Sequence, residues 1–541
     1  MALHKITIVF LLLYFWEMAE SASILALFSS LSFSDHIVFR GYISLLAQKG
    51  HSIVVMTPYP GHFAYPDTER IVELNVGEES APYWEEYRNL MIDTDDYYPR
   101  MREINDHSIK VAVAQLKSKP MTALLINPNV KFDLVITEAD VPVLYAVADK
   151  YQVPHIAITP SSGKIHQYES KGSPIHPILY PDVNSLNYRN LSRWQKIVEI
   201  NRHFQTRNEY YNNYLPRCEV AARRLFGLTK SLQEIEYDID LLFVAANPLL
   251  IGNRPSPPAI TYVDRMHIKP GFQRILDSAS KGVIYFSLGA IQEPEHLSVN
   301  VLQTLADAFR ELPFLVLWKI SNTTVVDIPN NVIANAWFPQ QEVLGNYLFK
   351  LNIKLFRYDL SLMLYNILAH PNVKAFITHG GARSLEEALF YEVPIIGLPI
   401  VRSRKVFIGE IIRYGAGEIL DPYYLEKENL KEIITSVATD DKYKKSISKL
   451  KNMVVDPIIS GPENAVWYTE FLLRHGSAKH LRNPAVGLSI FKYYMLDMIG
   501  ILLFISVTLL TASFYILRYV LKRIRKRILQ RFDESSKFKA L

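Results

Sequence analysis

The chain has 541 residues, of which 49% are hydrophobic and 21% charged, with a formal net charge of +5. That length is too great for one ordinary core and predicts two domains of a few hundred residues. The composition excludes a disordered or low-complexity protein. The small basic excess lies largely in the C-terminal tail and gives no ground for a nucleic-acid partner.

In chain order, Lys5 precedes an apolar run from Ile6 to Trp16 and small residues from Ala19 to Ser23. This predicts a secretory signal over 1–22, cleaved near Ser21–Ser23. Short apolar runs separated by helix-length segments follow, and Ile24–Phe28, Ile53–Thr57, Leu134–Thr137, Ile156–Thr159 and Leu241–Ala245 read as strands. A second series comprises Val283–Leu288, Leu315–Lys319, Val332–Ala334, Ala375–Thr378 and Pro394–Leu398. Nearly continuous apolar strands alternating with helices indicate parallel sheets covered on both faces. The expected architecture is α/β, with two Rossmann-like doubly wound domains, 23–255 and 276–480. A proline-rich linker, 256–275, joins them. Ligands of such sheets sit at the carboxyl ends of the strands.

The first strand leads through Ser29–Asp35 to His36, expected at the start of a helix running from about Ile37 to Gln48. A lone histidine there is ordinarily a surface or capping residue. Its place at the ligand end of the sheet gives it a second reading. A neutral imidazole can take a proton from an attacking hydroxyl near its usual pKa of about 6.5.

The densest signal is Ala375–Pro399, which reads as a strand, a turn on His379, Gly380 and Gly381, a helix from about Arg383 to Tyr391, and a strand closed by Pro399. Glycines at a strand-to-helix turn let backbone N–H groups approach an anion, and the helix N-terminus favours negative charge. His379 and Ser384 would add side-chain donors to a phosphate, and Glu387 could accept from a ribose. Without further context such a turn is an ordinary βαβ crossover.

Near the C-terminus a pre-membrane segment, 481–497, precedes an uncharged span of 20 residues from Met498 to Leu517. This predicts a transmembrane helix over 498–519 and a tail over 520–541. Lys522, Arg523, Arg525, Lys526, Arg527 and Arg531 follow the span. The positive-inside rule then makes the tail cytosolic and the rest lumenal, a single-pass type I arrangement. Cys218 is the single cysteine, so an internal disulfide is excluded. Asn190 and Asn322 begin glycosylation sequons.

The glycine-turn stretch, with Pro394–Pro399 after it, strongly resembles the donor-binding signature of the UDP-glycosyltransferases, in particular the membrane-bound insect type. Gly282–Gly289 resembles the family strand facing the diphosphate, with Ser287 and Gly289 at its end. Ala336–Leu344 resembles the uracil motif, in which Trp337 would stack on the base and Gln340 would meet the nucleoside. Glu463–Arg482 resembles the family's helix and linker before the membrane. Lys537 and Lys539 resemble a dilysine signal for the endoplasmic reticulum. The resemblance implies a GT-B fold with a C-terminal crossing helix. It implies inverting transfer of a hexose, glucose favoured over glucuronic acid, to a small lipophilic hydroxyl compound, as in detoxification. His36 would be the catalytic base and Glu138 its carboxylate partner, where many members have Asp. The UDP-sugar is a co-substrate, and neither a cofactor nor a metal is expected. A homo-oligomer is left open.

Two departures stand out. The family's sugar-binding Asp-Gln pair is replaced by Ser403 and Arg404, within a basic cluster that includes Arg402 and Lys405. This opens the alternative of a non-catalytic member binding UDP or a lipophile. In addition, Asn346–Ala369, 24 residues without glycine or proline, separates Gly345 from His370, which the family joins almost directly. It reads either as a lineage-specific insertion or as an intron retained in frame. An intron that splits the Gly345 and Ala369 codons would leave a single Ala codon on removal, giving Val-Leu-Ala-His-Pro-Asn and restoring the family pattern. Messenger RNA sequenced across Leu344–His370 is expected to lack the segment in most transcripts. Its presence in every transcript would make the segment a real element of the protein.

Overall fold

The computed structural model describes residues 21–61, 68–92, 97–182, 191–266, 281–289, 297–320, 326–335, 372–400, 404–456 and 460–538. Two compact units divide at Asn483 and Pro484. The first contains two parallel sheets. One has seven strands: β1 (Ser23–Leu27), β2 (Ser52–Thr57), β3 (Ile71–Asn75), β4 (Leu134–Glu138), β5 (His155–Thr159), β6 (Leu241–Val244) and β7 (Ile260–Tyr262), in the order β3-β2-β1-β4-β5-β6-β7. The other has six: β8 (Val283–Ser287), β9 (Leu315–Lys319), β10 (Val332–Asn335), β11 (Val373–Thr378), β12 (Ile395–Gly397) and β13 (Gly417–Ile419), in the order β10-β9-β8-β11-β12-β13.

Alternation along the strands explains why both faces are apolar. Leu25 and Leu27 enter the core on one face of the first sheet, while Ile24 and Ala26 enter the core on the other. Ile284 and Phe286, against Val283 and Tyr285, do the same in the second sheet. All ten strands expected from the sequence are present. The three additional ones lie at or near sheet edges, where burial is partial or the run is short. β3 leaves Val72 55% exposed, so its apolar signal is diluted. β7 has three residues beside a proline-rich stretch and falls inside the expected linker. β13 is Gly-Glu-Ile, with a charge at its centre.

Five helices build the site, seal the first sheet or form most of the second unit: α1 (Phe33–Gln48), α2 (Ala382–Phe390), α3 (Arg404–Arg413), α4 (Gly461–His475) and α5 (Leu496–Phe538). α4 lies in the sequence expected for the second domain but packs on the first sheet. Ala465, Val466 and Leu472 join the core of Ile24, Phe39 and Ile43. Tyr42 and Thr469 share a hydrogen bond of 2.5 Å, and the Ala478 N–H donates to Asp240 Oδ1 at 2.9 Å. Ser460 caps the helix reciprocally with Glu463, and Gly476 ends it in the left-handed conformation.

In the second unit, α5 is the one helix among the described residues long and apolar enough to cross a membrane, over Leu496–Leu529. It includes the expected span 498–519.

Within each sheet the strand order reverses at one place, between β1 and β4 and between β8 and β11. The carboxyl ends at these two points are where a ligand of each half is held.

Leu472 is fully buried. Leu472→Ala should therefore cost about 2–5 kcal/mol, read as a lower urea midpoint at unchanged slope. An unaltered midpoint would show that α4 does not seal the first core.

Candidate active site

At the ends of β1 and β4, Glu138 is buried and its Oε2 accepts the N–H groups of Ser29 at 2.9 Å and Ser30 at 2.8 Å. Burial and the charges of Asp140 and Asp35 push its pKa up to about 8, with the two N–H bonds opposing the rise. Its carboxylate thus holds the loop after β1 and is not hydrogen-bonded to His36.

His36 departs from the expectation. α1 begins at Phe33, four residues before the expected start at Ile37, so His36 already belongs to its first turn. Each residue of a helix turns the side-chain direction by about 100°, and His36 is carried into the core, where it is 1% exposed. Phe28, Phe39 and Tyr59 surround the ring, with centroids 6.5, 5.6 and 5.0 Å away. Nε2 lies 2.7 Å from the Ser30 carbonyl, which only accepts, so Nε2 carries the hydrogen. Nδ1 then accepts from the Thr57 hydroxyl at 3.3 Å. Burial, reinforced by the Arg40 guanidinium, lowers the pKa to about 3. The expected base and its expected partner are therefore near each other in the fold but not joined.

Asp35, which no sequence pattern singles out, is partly exposed. Its Oδ2 accepts from the Ser30 hydroxyl at 2.9 Å. Burial is the main cause that raises its pKa to about 6; the Asp140 charge also raises it, while the Ser30 hydroxyl, Arg383 and Ser32 lower it.

At the ends of β8 and β11 the expected donor residues do converge. A Cβ on Gly289 would stand 2.6 Å from His379 Cε1, and one on Gly381 would stand 2.8 Å from the same atom. The His379 ring therefore fits only between two glycines. Gly289 and Gly380 also have positive φ, +94° and +87°. The Ser287 hydroxyl accepts the Gly289 N–H at 3.3 Å, which shapes the turn. Gly381 is the N-cap of α2 and offers no side chain to its N–H groups, so the first turn remains open to an anion. His379 Nδ1 is buried without a hydrogen-bond partner among the described residues. Burial and the positive charges of Arg404 and Lys319 lower the ring's pKa to about 3. Lys319, at the end of β9, donates to the Gly289 carbonyl. Ser384 is partly exposed on α2, and Glu387, one turn along, is buried. Arg404, at the start of α3, lies against the Gly380 turn and within electrostatic reach of Asp35.

Arg383 ties the two ends together. One of its amino groups donates to the Pro160 carbonyl at 2.6 Å and to the Ala245 carbonyl, both beyond strands of the first sheet. Another pairs with Glu386 at 2.8 Å. A cation in the first turn of a helix opposes the helix dipole, and that mismatch was the signal in the sequence. For Lys319 the signal was a charge ending an apolar strand at its ligand end. Trp337, Gln340, Ser403, Asn190, Asn322 and the segment 346–369 lie outside the described residues.

Two doubly wound sheets whose switch points face one cleft, one with a glycine turn for an anion and one lined by carboxylates, define a glycosyltransferase of the GT-B class. The profile described as "UDP-glucoronosyl and UDP-glucosyl transferase" matches residues 25–350 and 363–530, and the chain belongs to that family. The break in the match falls within 346–369. An ecdysteroid UDP-glucosyltransferase of Spodoptera littoralis nuclear polyhedrosis virus is 27% identical, over 92% of this chain and 96% of its own length. UDP-glucosyltransferase 2 of Dactylopius coccus is 26% identical, over 97% and 96%. Among solved structures the calicheamicin glycosyltransferase CalG4 aligns with a TM-score of 0.54 at 16% identity, covering 84% of this chain and 99% of its own, which bears on the fold alone.

Arg383 and Glu386 are largely buried, with side chains 12% and 5% exposed. Arg383→Ala leaves Glu386 without its cation and should destabilise the first unit by about 3–5 kcal/mol, measured by thermal or urea unfolding. A loss below about 1 kcal/mol, the range of a surface pair, would show that the bridge is dispensable.

Proposed function

We propose that this UDP-glycosyltransferase moves glucose, in preference to glucuronic acid, from its UDP-sugar to a hydroxyl of a small lipophilic acceptor, with inversion at the sugar. The observation that carries the reading is the facing of two unlike surfaces across one cleft. On one side His379, Gly380, Gly381 and Gly289, with Lys319 and Arg404 beside them, form a positive cradle for a diphosphate. On the other stand the Asp35 carboxylate, the Asp140 carboxylate paired with Lys164 at 3.0 Å, and Glu138, whose raised pKa keeps it largely protonated at neutral pH. In this reading Ser287 shapes the cradle, Ser384 and the N–H groups of α2 meet phosphate oxygens, and Glu387 meets the ribose. Trp337 and Gln340 hold the uracil, while Ser403 and Arg404 face the sugar. Lys319 and Arg404 supply positive charge at the leaving diphosphate, and no cofactor beyond the donor is invoked.

Glucose is supported by the names of the viral and insect relatives. The word ecdysteroid in the viral relatives' names supports a lipophilic hydroxyl acceptor. We also propose that α5 anchors the chain in the endoplasmic reticulum membrane with its basic tail in the cytosol. The two sheets would then be lumenal, downstream of the signal over 1–22 and glycosylated at Asn190 and Asn322.

The test titrates UDP, UDP-glucose and UDP-glucuronate and assays each sugar with mixed phenolic acceptors. Glycoside is expected from UDP-glucose, with UDP-glucuronate markedly slower. Affinity for every donor no better than for UDP, without turnover, would replace this reading by that of a non-catalytic binder.

A further inference from the structure

At the start of α1 two neighbouring side chains have opposite fates. The single lone pair of His36 is engaged by Thr57, its N–H is engaged by the Ser30 carbonyl, and aromatic rings enclose it. A proton from a substrate would have to displace the Thr57 hydroxyl inside the core. Asp35 stands on the cleft side, partly exposed, at the carboxyl end of β1 and beside the point where the strand order reverses. The Ser30 hydroxyl engages its Oδ2. An ionised carboxylate has about four lone-pair sites over its two oxygens, so capacity to take a proton remains.

Resting on the transferase reading above, we infer that Asp35, not His36, is the general base that receives the acceptor's proton, and that His36 is a positioning residue. The step balances. The acceptor O–H proton passes to a carboxylate oxygen of Asp35 as the hydroxyl oxygen bonds to the anomeric carbon. The bond from that carbon to the diphosphate breaks, and its electron pair leaves with UDP. Asp35 then returns the proton to solvent.

The groups facing Asp35 from every side suit it to this. Asp140 and Glu138 come from the end of β4 and the residues beyond, Arg383 from α2 and Arg404 from α3. Tyr59 and Tyr87 face it from the segments after β2 and β3, and Ser30 and Ser32 from its own loop. Burial, helped by the Asp140 charge, raises its pKa to about 6, against the opposing pull of Ser30, Arg383 and Ser32. A base so raised is stronger than a surface aspartate yet ionised at neutral pH. His36 keeps the loop in shape: its N–H fixes the Ser30 carbonyl, and the Ser30 hydroxyl fixes Asp35.

The test uses the full chain with UDP-glucose and a phenolic acceptor. It compares Asp35→Asn, Asp35→Glu and His36→Gln, with UDP affinity measured on each as a check that the donor half is intact. Asp35→Asn should lower kcat by about 100-fold or more, the usual worth of a general base, at UDP affinity within about twofold of wild type. Asp35→Glu should recover part of the loss. Wild-type kcat/KM should fall as pH drops through about 6, and His36→Gln, though slower, should keep that acid limb. Asp35→Asn within about threefold of wild type overturns the inference, as does loss of the acid limb in His36→Gln. A wild-type chain that binds UDP but forms no glycoside overturns the transferase reading itself, and the inference with it.

Discussion

The cleft depends on one largely buried cation, Arg383. A guanidinium cannot shed its proton, so burying Arg383 requires acceptors arranged around it. The protein supplies the Glu386 carboxylate from the same helix and the carbonyls of Pro160 and Ala245 from beyond β5 and β6. Those carbonyls belong to the other sheet, so satisfying the charge brings the carboxyl ends of the two sheets face to face. Arg383 also sits two residues beyond Gly381, the N-cap of α2. The same turn that opens backbone N–H groups to an anion therefore anchors the opposite wall of the site.

Charge is sorted across this cleft. Lys319, Arg404 and the amino end of α2 gather at the β8–β11 switch point, and Asp35, Glu138 and Asp140 gather at the β1–β4 switch point. A sugar nucleotide needs the first for its diphosphate, and a hydroxyl nucleophile needs the second for its proton. Each set raises the cost of misplacing the other's ligand, because like charges in a partly dry cleft repel strongly. Asp35, Arg404 and the anion turn come from the N-termini of α1, α3 and α2, while Lys319 and Glu138 end strands β9 and β4 and Asp140 lies just beyond β4.

Family membership and local departure coexist for a physical reason. Parallel strands buried on both faces tolerate exchange among Val, Ile, Leu and Phe while volume and alternation are kept, and relatives at 27% identity span nearly the whole chain. Loops lack that constraint. Of the departures of this chain, Arg404 stands at the first residue of α3, an element end.

The strands of both sheets were legible in the sequence because buried parallel strands are continuous apolar runs, and the glycine turn was legible because positive φ and close ring packing demand glycine. Lys319 and Arg383 carried signals as well, each a charge placed against the local rule. β3, β7 and β13 were not legible, since edge strands need bury only part of their surface. The packing of α4 on the first sheet followed in sequence only from resemblance, because an amphipathic helix does not name the sheet it covers. The sequence by itself determined the two sheets, their order of elements and the anion turn. Only the tertiary structure decided which of Asp35 and His36 faces the cleft. A helix start displaced by four residues leaves the apolar pattern almost unchanged, yet each step turns a side chain by about 100°, and that angle separates core from cleft.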